Sequence, residues 1–403
     1  MAGNGVTAPA DVRMRGFADR VAVADALRWL DTQAWRPEAE EIAVDQAAGR
    51  VLAAPISAPE DMPPADCAAI DGFAVQAQDS LGAGDYDPAV LTLTGADGPV
   101  LPGRAAPIVA GMELPPGADA ILPFEWTQAQ DNRVELFVPA AEGEGVARRA
   151  QQLRAGATLL DSGRELRPGD LGALSGLGID RVAVLRRPRV RLVVAAPKGI
   201  GRDANGPLLQ SLVARDGGLV VEVAAGLADQ AAIAERMAAP GADLILVAGR
   251  SGTGSDDVAP LALAAIGQTA IHGIALQPGG STGMGLARNL PVILLPGDPL
   301  ACLVAYEIFA GRLIRLSGGR GPDFPHRVCE AELAGKIASA VGCVEFRQMR
   351  LARGRAEPLA VPETGGLAAA LGADGFLVVP APLEGYAPGA RVRVHLYDRG
   401  WQP

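Results

Sequence analysis

The chain from residue 190 to about residue 316 alternates short apolar runs with amphipathic segments. Val190 to Ala196 is nearly continuous apolar sequence, which is typical of a parallel strand that is buried on both faces. The segment that begins at Asn205 has apolar residues at helical spacing and ends at Gly217, so it predicts a helix. Three more strands and three more helices are predicted in alternation at 219–223, 229–238, 243–248, 258–266, 291–295 and 299–316. This pattern predicts a doubly wound α/β domain over residues 186–322.

The rest of the sequence divides into three regions that differ in their pattern of apolar, polar, Pro and Gly residues. Residues 61–141 contain short apolar runs broken by Pro and Gly, which predicts a β-rich inserted domain. The flanking residues 17–60 and 142–185 are compatible with helix and are expected to form a helical linker domain after a frayed amino terminus. The region 323–403 includes Arg391–Leu396, where charged and apolar residues alternate, and it predicts a C-terminal β-barrel-like domain.

Composition and charge limit the classes of partner. The chain has 403 residues, of which 49% are hydrophobic, so there is enough apolar material for packed cores. Its 36 basic and 46 acidic residues give a net charge of −10, which argues against nucleic acid and anionic membranes as partners. The four cysteines include no C-x-x-C pair, and no uninterrupted apolar segment is long enough to span a membrane. We therefore expect a soluble, cytoplasmic protein with reduced thiols.

The loop from Gly249 to Asp257 follows a predicted strand and carries the most informative set of polar residues. Its three glycines let the backbone approach a ligand, and the amide N–H groups of such a loop suit an oxyanion. Arg250 adds a fixed positive charge, while Asp256 and Asp257 could hold Mg²⁺. An ordinary surface turn is the alternative interpretation. The position at the carboxyl end of a strand, where open α/β sheets bind ligands, favours a site.

Two other loops carry weaker signals. Asp298 is predicted to cap a helix whose first turn contains Pro299, and the helix dipole there would favour an anion, although the Asp298 carboxylate competes with it. The segment 199–204 fits the dinucleotide-binding pattern G-x-G-x-x-A, which leaves a nucleotide-dependent oxidoreductase as an alternative function. Glu222, the acidic residue this pattern needs, falls inside a strand and not at its end, which weakens that alternative.

The segment Met62–Val75 contains the sequence M-P-P-A-D-C-A-A-I-D-G-F-A-V. It resembles the signature P-x-F-D-N-S-A-M-D-G-Y-A-V of the molybdopterin molybdenumtransferase family, which includes the gephyrin E-domain. The other matches resemble the family segments G-R-x-L-A, L-P-x-G-A-D-A, D-[ST]-N, G-G-V-S-V-G-x-x-D and L-P-G-N-P; they lie at Gly49–Ala53, Leu114–Ala120, Asp203–Asn205, Gly249–Asp257 and Leu295–Pro299. Each match alone is modest, but the ordered set covers about residues 20 to 400 and is highly specific for this family.

The resemblance implies an elongated homodimer of four-domain subunits with a cleft between the α/β domain of one subunit and the β-rich insertion of its partner. Family members insert molybdenum from molybdate into adenylated molybdopterin, release AMP and use Mg²⁺. The implied catalytic and metal-binding residues are Asp71 and Asp257. The implied molybdopterin-binding residues are Asp66, Gly249, Arg250, Ser251, Gly252, Thr253, Gly254, Pro278, Pro296, Asp298 and Pro299.

This sequence also departs from the family pattern at polar positions. Val194–Lys198 stands where the family has S-T-G-D-E, and Gln277–Ser281 stands where it has K-P-G-K-P, while Ala110 and Gln152 replace further polar residues. Arg250 replaces a glycine, and we expect it to supply part of the positive charge that the lysines provide in the family. Because Mg²⁺ affinity depends on the number of oxygen ligands, an alternative function is a carrier of molybdopterin or cofactor, or an assembly factor for a molybdoenzyme client, without catalysis.

Overall fold

The computed structural model describes residues 11–95, 98–196, 202–360 and 367–397. The chain divides into two compact units. The larger unit spans Met1–Ala53, Glu165–Arg167 and Arg181–Pro403, and the smaller spans Ala54–Arg164 and Pro168–Asp180. The boundaries of the four predicted domains stay predictions.

A six-stranded sheet lies at the centre of the larger unit. Four neighbouring strands are parallel, and two more are added at one side by antiparallel pairing. In spatial order the strands are Leu219–Leu227, Arg189–Ala195, Leu244–Ala248, Leu290–Leu295, Gly283–Ala287 and Gly267–His272. The mixed α/β character expected from the sequence is confirmed. The two antiparallel strands were not predicted, because glycine and polar residues interrupt their apolar pattern.

Helices cover both faces of this sheet. Leu209 and Leu313 belong to the core on one face, and Ile233 and Leu263 belong to the core on the other. The helices are Asn205–Arg215, Gln230–Ala238, Ala259–Ile266, Pro299–Ala305 and Gly311–Ser317, and a π-helical turn at Tyr306–Ala310 joins the last two. Because the strands between the two cores are nearly free of polar residues, the polar groups of this region concentrate at the strand ends.

A closed five-stranded barrel forms the C-terminal part of the larger unit, as the β alternation predicts. Its strands are Arg327–Leu333, Val344–Ala352, Arg355–Pro358, Gly375–Val379 and Arg391–Leu396. The short strand Leu276–Gln277 pairs with the beginning of Val344–Ala352, Ile337–Ala338 pairs with Gly385–Tyr386, and a helix spans Leu367–Leu371.

The amino-terminal part of the larger unit is a helix and a strand pair. The helix Val23–Asp31 buries Val23, Ala26 and Leu30. The strands Ala39–Ala43 and Arg181–Leu185 pair antiparallel, and a short 3₁₀ helix covers Val44–Gln46. Residues 11–16, which we expected to be frayed, make hydrogen bonds to the rest of this unit.

The smaller unit is dominated by a second six-stranded sheet. In spatial order its strands are Ala120–Pro123, Gly72–Val75, Arg104–Ile108, Ala89–Leu93, Arg133–Leu136 and Thr127–Gln130. Two short pairs, Cys67–Ala68 with Val146–Ala147 and Ile56–Ser57 with Thr158–Leu160, complete its strands, and 3₁₀ helices cover Ala77–Ser80 and Phe124–Trp126.

The expectation of a helical linker was wrong over most of residues 142–185. Only Pro168–Gly176 is helical there, and short strands and turns take the remainder. Gly143, Gly145, Gly156 and Gly163 all have positive φ angles, between +71° and +84°, which end any regular helix. Throughout the described ranges, no helix is both long and apolar enough to cross a membrane.

Candidate functional site

A cavity of about 1050 Å³ lies in the larger unit, at the carboxyl ends of the central strands. Its walls are the loops that follow three parallel strands and the beginnings of the helices Asn205–Arg215 and Pro299–Ala305. The lining residues are Val194, Ala195, Ala196, Arg202, Asp203, Ala204, Asn205, Gly226, Gly249, Arg250, Ser251, Gly252, Asp256, Asp257, Ser281, Pro296, Gly297, Asp298, Pro299 and Ala301. This is the edge of the sheet where a ligand site is expected.

Gly249 turns the chain sharply at the end of its strand. Its φ angle is +94°, and a Cβ atom at this position would lie 2.2 Å from the carbonyl oxygen of Ala195. The turn is tied to the neighbouring strand by hydrogen bonds that the Gly249 amide and the Ser251 hydroxyl both donate to the carbonyl oxygen of Leu295, at 3.0 Å each. Only glycine fits this position, and the loop begins in a fixed place.

The next part of the loop leaves backbone donors free. The Gly254 amide donates to Oδ2 of Asp257 at 2.7 Å. The amides of Ser251 and Gly252 have no hydrogen-bond partner among the described residues. Both residues line the cavity. Successive unpaired amides next to glycine form the kind of concave donor site that binds a phosphate or another oxyanion.

His272 is a buried residue that is hydrogen-bonded to the backbone of the glycine-rich loop Gly249–Asp257. Its ring is buried, and Nε2 lies 2.8 Å from the carbonyl oxygen of Ser251. Burial lowers the pKa of His272, although the hydrogen bond to Ser251 opposes that shift, so the ring is neutral at pH 7. Because the partner is an acceptor, Nε2 carries the proton.

Arg250 is a half-buried residue in a strained backbone conformation. Its φ angle is +53°, a region that residues with a side chain rarely adopt. Nη1 donates to the carbonyl oxygen of Asp256 at 2.6 Å, and Nε has no partner among the described residues. The guanidinium is therefore held against the loop at the wall of the cavity. Arg202, which is exposed, is a second cation among the described residues of the lining.

The two helices that begin at the cavity are capped by their own carboxylates. Asp298 accepts a hydrogen bond from the Ala301 amide at 2.9 Å, and Asp203 accepts one from the Gly206 amide at 2.9 Å. Pro299 occupies the first turn, so the predicted cap is confirmed. Next to this cap, Asn205 donates through Nδ2 to the Gly297 carbonyl oxygen at 2.9 Å, and its Oδ1 has no partner in the described part of the chain.

Asp66 and Asp71 belong to the smaller unit and are described within it. Asp71 is exposed, and its Oδ1 accepts a hydrogen bond from the Ala110 amide at 2.7 Å. Asp66 accepts from the Arg149 amide at 2.8 Å and pairs with the Arg148 guanidinium at 2.7 Å. These two interactions lower the pKa of Asp66, in that order of importance. Among the described residues, only Oδ1 of the two Asp71 carboxylate oxygens has a hydrogen-bond partner, whereas both oxygens of Asp66 are engaged.

Models of three protein-family regions match this chain in sequence. The "MoeA N-terminal region (domain I and II)" matches residues 21–178, the "Probable molybdopterin binding domain" matches residues 183–315, and the "MoeA C-terminal region (domain IV)" matches residues 330–397. Molybdopterin molybdenumtransferase 2 of Mycobacterium tuberculosis is 31% identical over 383 residues, which cover 88% of this chain and 94% of that protein.

The chain belongs to the MoeA family of molybdopterin molybdenumtransferases. A putative molybdopterin biosynthesis protein of Methanocaldococcus jannaschii is 25% identical over 398 residues, with 94% of this chain and 96% of that protein covered. The molybdopterin biosynthesis MoeA protein of Pyrococcus horikoshii has the same fold, with a TM-score of 0.79 and 28% identity over 95% of this chain and all of that chain. The family resemblance expected from the motifs is thus confirmed.

Eight of the residues expected for the MoeA-family site line the cavity in the larger unit. They are Gly249, Arg250, Ser251, Gly252, Asp257, Pro296, Asp298 and Pro299. Thr253, Gly254 and Pro278 lie outside its lining, and Asp66 and Asp71 belong to the other unit. Thr253 and Gly254 continue the same loop, where the Gly254 amide is already bonded to Asp257.

Sequence reasoning missed other residues of the lining. Arg202, Asn205, Gly226 and Ser281 reach the cavity only because the sheet brings distant strand ends together. The available signals were the family segment Asp203–Asn205 and the Gln277–Ser281 loop, which contain two of these residues. The proposed dinucleotide loop at 199–204 lies partly outside the described residues, and Glu222 is engaged with the buried Arg191 at 2.7 Å. Glu222 is therefore not placed to bind a ribose.

Proposed function

We propose that this chain inserts molybdenum from molybdate into adenylated molybdopterin and releases AMP. In this reaction water cleaves the phosphoanhydride bond that joins AMP to molybdopterin, and molybdate exchanges oxygen ligands, which leave as water, for the sulfurs of molybdopterin. The observation that supports the proposal is the cavity wall in which the unpaired amides of Ser251 and Gly252 lie beside the anchored guanidinium of Arg250. Such a wall suits a phosphate-bearing ligand, because it offers donors and positive charge without any proton transfer.

Each element of the wall has a distinct role in this proposal. The Ser251 and Gly252 amides bind oxygens of a phosphate, and Arg250 neutralises part of its charge. Pro296 and Pro299 add rigid apolar side chains to the lining, against which a flat ring can pack. Arg250 would also replace positive charge at the loop where Gln277 and Gly280 stand in place of family lysines.

The carboxylates of the loop fit an Mg²⁺ ion. Asp257 uses Oδ2 for the Gly254 amide, and its Oδ1 has no partner among the described residues. No group of three or more potential ligands occurs in the described part of the chain, but Mg²⁺ commonly binds through one or two carboxylates together with water and substrate phosphates. When bound, Mg²⁺ would neutralise charge on the phosphoanhydride. Asp257 holds the loop amide and offers the remaining oxygen to the ion.

We also propose that the protein acts as a homodimer in which Asp71 serves the site of the other subunit. The proposal follows the family resemblance, and it is supported by the free carboxylate oxygen of Asp71. Mixed refolding of Asp71→Asn and Asp257→Asn subunits tests it. Each variant alone should be inactive, whereas mixing should restore roughly a quarter of wild-type turnover through hybrid dimers with one intact site. A mixture of Asp257→Asn with Asp257→Ala is the control and should stay inactive.

The direct test of the activity is AMP release from adenylated molybdopterin. Release that requires molybdate and Mg²⁺, together with rescue of cofactor synthesis in cells that lack their own insertion enzyme, is the expected result. A protein that binds molybdopterin tightly but releases no AMP under these conditions would contradict the proposed activity.

One observation favours the second candidate, a carrier or assembly factor for a molybdoenzyme. The strand end that borders the cavity presents Val194, Ala195 and Ala196, which bring no side-chain oxygen to the site. A carrier needs the phosphate wall but not the additional metal ligands. The same assay separates the two functions, because a carrier retains bound molybdopterin without turnover and passes it to an apo-molybdoenzyme.

A further inference from the structure

The segment that precedes the first helix is bonded to the outer side of the glycine-rich loop. The Met14 amide donates to the carbonyl oxygen of Thr253 at 2.7 Å, and Nη1 of Arg13 donates to the carbonyl oxygen of Ser255 at 3.4 Å. The Arg13 guanidinium is itself held by Asp11. Two consecutive residues of the segment therefore fix two carbonyl groups of the loop that binds the phosphate in the proposed function.

Phe17 fastens the same segment to the support of the loop. Its ring makes an edge-to-face contact with His272, with centroids 5.0 Å apart, and His272 holds the carbonyl oxygen of Ser251. Gly273 leaves the space for this ring, because a Cβ atom there would lie 2.4 Å from Phe17. Four residues further on, the Val21 amide donates to the Gly273 carbonyl oxygen at 3.0 Å.

Met14 has a left-handed backbone conformation that is not explained by burial of its side chain. Its side chain is 78% exposed, yet its φ angle is +58°. A left-handed backbone is unfavourable for a residue with a side chain, and such strain persists where the surrounding structure requires it. Met14 lies in a turn that is closed by hydrogen bonds from the Arg15 and Gly16 amides to the carbonyl oxygen of Val12, and the Met14 amide ties this turn to the carbonyl oxygen of Thr253.

We propose that residues 13–17 are a positioning segment, which holds the glycine-rich loop in the conformation that leaves the Ser251 and Gly252 amides free for a phosphate. The inference rests on the proposed function, since it assigns the segment to the same ligand. The residues of the segment do not touch the ligand. They fix the carbonyl groups on the outer side of the loop, so that its amides stay available on the inner side.

Two substitutions at Met14 change the backbone preference alone. Met14→Gly keeps the positive φ angle without strain, while Met14→Ile disfavours it strongly because of the β-branch. Met14→Ile should accelerate hydrogen exchange of the Gly254 amide and weaken molybdopterin binding about tenfold. Met14→Gly should match the wild type in both measurements. Arg353→Ile is the matched control, because Arg353 is an exposed residue with a φ angle of +50° in a turn of the barrel.

The control variant should lose stability without any change in the dissociation constant for molybdopterin. Equal exchange rates and equal affinities in the two Met14 variants would overturn the positioning role. If the wild-type protein itself does not bind molybdopterin, the proposed function fails, and the hydrogen-exchange comparison still decides whether the segment positions the loop.

Discussion

Two of the loops that border the cavity, Gly249–Asp257 and Leu295–Pro299, each leave a buried parallel strand and lead to a helix, but they use their aspartates differently. In Leu295–Pro299, the Asp298 carboxylate accepts a hydrogen bond from the helix amide of Ala301. In Gly249–Asp257, the Asp257 carboxylate accepts from the amide of Gly254, and the amides of Ser251 and Gly252 have no partner in the described part of the chain. The helix terminus at Pro299 is thus occupied by its own carboxylate, whereas the glycine-rich loop keeps donors for a ligand.

This difference shows why position at a strand end is not enough to make an anion site. Both loops benefit from the same sheet edge and a following helix. Capping by a carboxylate stabilises a helix terminus but consumes the donors and adds a negative charge that repels an anion. Anion binding in this chain should therefore depend on the Gly249–Asp257 loop and only weakly on the Pro299 helix.

The largest expected effect is at Asp257. Asp257→Asn keeps an oxygen that can accept from the Gly254 amide but removes the charge available to Mg²⁺. AMP release should fall at least about 100-fold, while the folded structure is retained. Assays of turnover against Mg²⁺ concentration, beside circular dichroism, measure both. Turnover within a few-fold of the wild type would remove Asp257 from the metal site.

The second prediction concerns the glycines that begin the two loops. Gly249→Ala places a Cβ atom 2.2 Å from the Ala195 oxygen at a φ angle of +94°. It should lower the unfolding free energy of the larger unit by about 2–4 kcal/mol. In the matched variant Gly297→Ala, the added atom meets only the Gly249 Cα at 3.4 Å, an ordinary contact.

Denaturant unfolding of the two glycine variants measures this contrast directly. The Gly297→Ala protein should lie within about 0.5 kcal/mol of the wild type. Equal destabilisation by both substitutions would mean that Gly249 is not the position that fixes the loop.

The regular elements that build this site could be predicted from the sequence. The apolar runs ending at Ala195, Ala248 and Leu295 gave three parallel strands, since a doubly buried strand excludes polar residues. The helix cap at Asp298 could be predicted as well, because a helix cap depends only on residues that are close in sequence.

The interactions that complete the site were not visible in the sequence. The Met14 amide donates to the carbonyl oxygen of Thr253, far along the chain, and every residue type except proline carries such a donor. Gly226 reaches the cavity through the pairing of its strand, which leaves no local signature. The prediction of a helical linker was wrong for another reason. The residues between the glycines are compatible with a helix, but the glycines themselves adopt positive φ angles and form turns.

The third prediction separates charge from strain at Arg250. Arg250→Gly removes the unfavourable φ angle and should raise the unfolding free energy by about 1 kcal/mol. It should also weaken molybdopterin binding roughly tenfold, since a guanidinium beside a phosphate is lost. Arg250→Glu should weaken binding further, with the loss reduced at high salt.

Fluorescence titration with molybdopterin at two salt concentrations tests this prediction, and Arg250→Lys is the charge-preserving control. Unchanged binding by a stably folded Arg250→Glu protein would exclude Arg250 from the phosphate wall.

The smallest expected effect is at Asp298. Asn and Asp cap helices about equally well, so Asp298→Asn should preserve stability while it removes a negative charge from the cavity. Molybdopterin affinity should rise about twofold to fivefold, which corresponds to the usual interaction of a charge with a helix terminus. Asp229→Asn makes the same change at the cap of Gln230–Ala238, outside the cavity lining, and should leave affinity unchanged. A weaker complex with Asp298→Asn would show that the carboxylate itself binds the ligand, and the two loops would then differ less than their hydrogen bonds indicate.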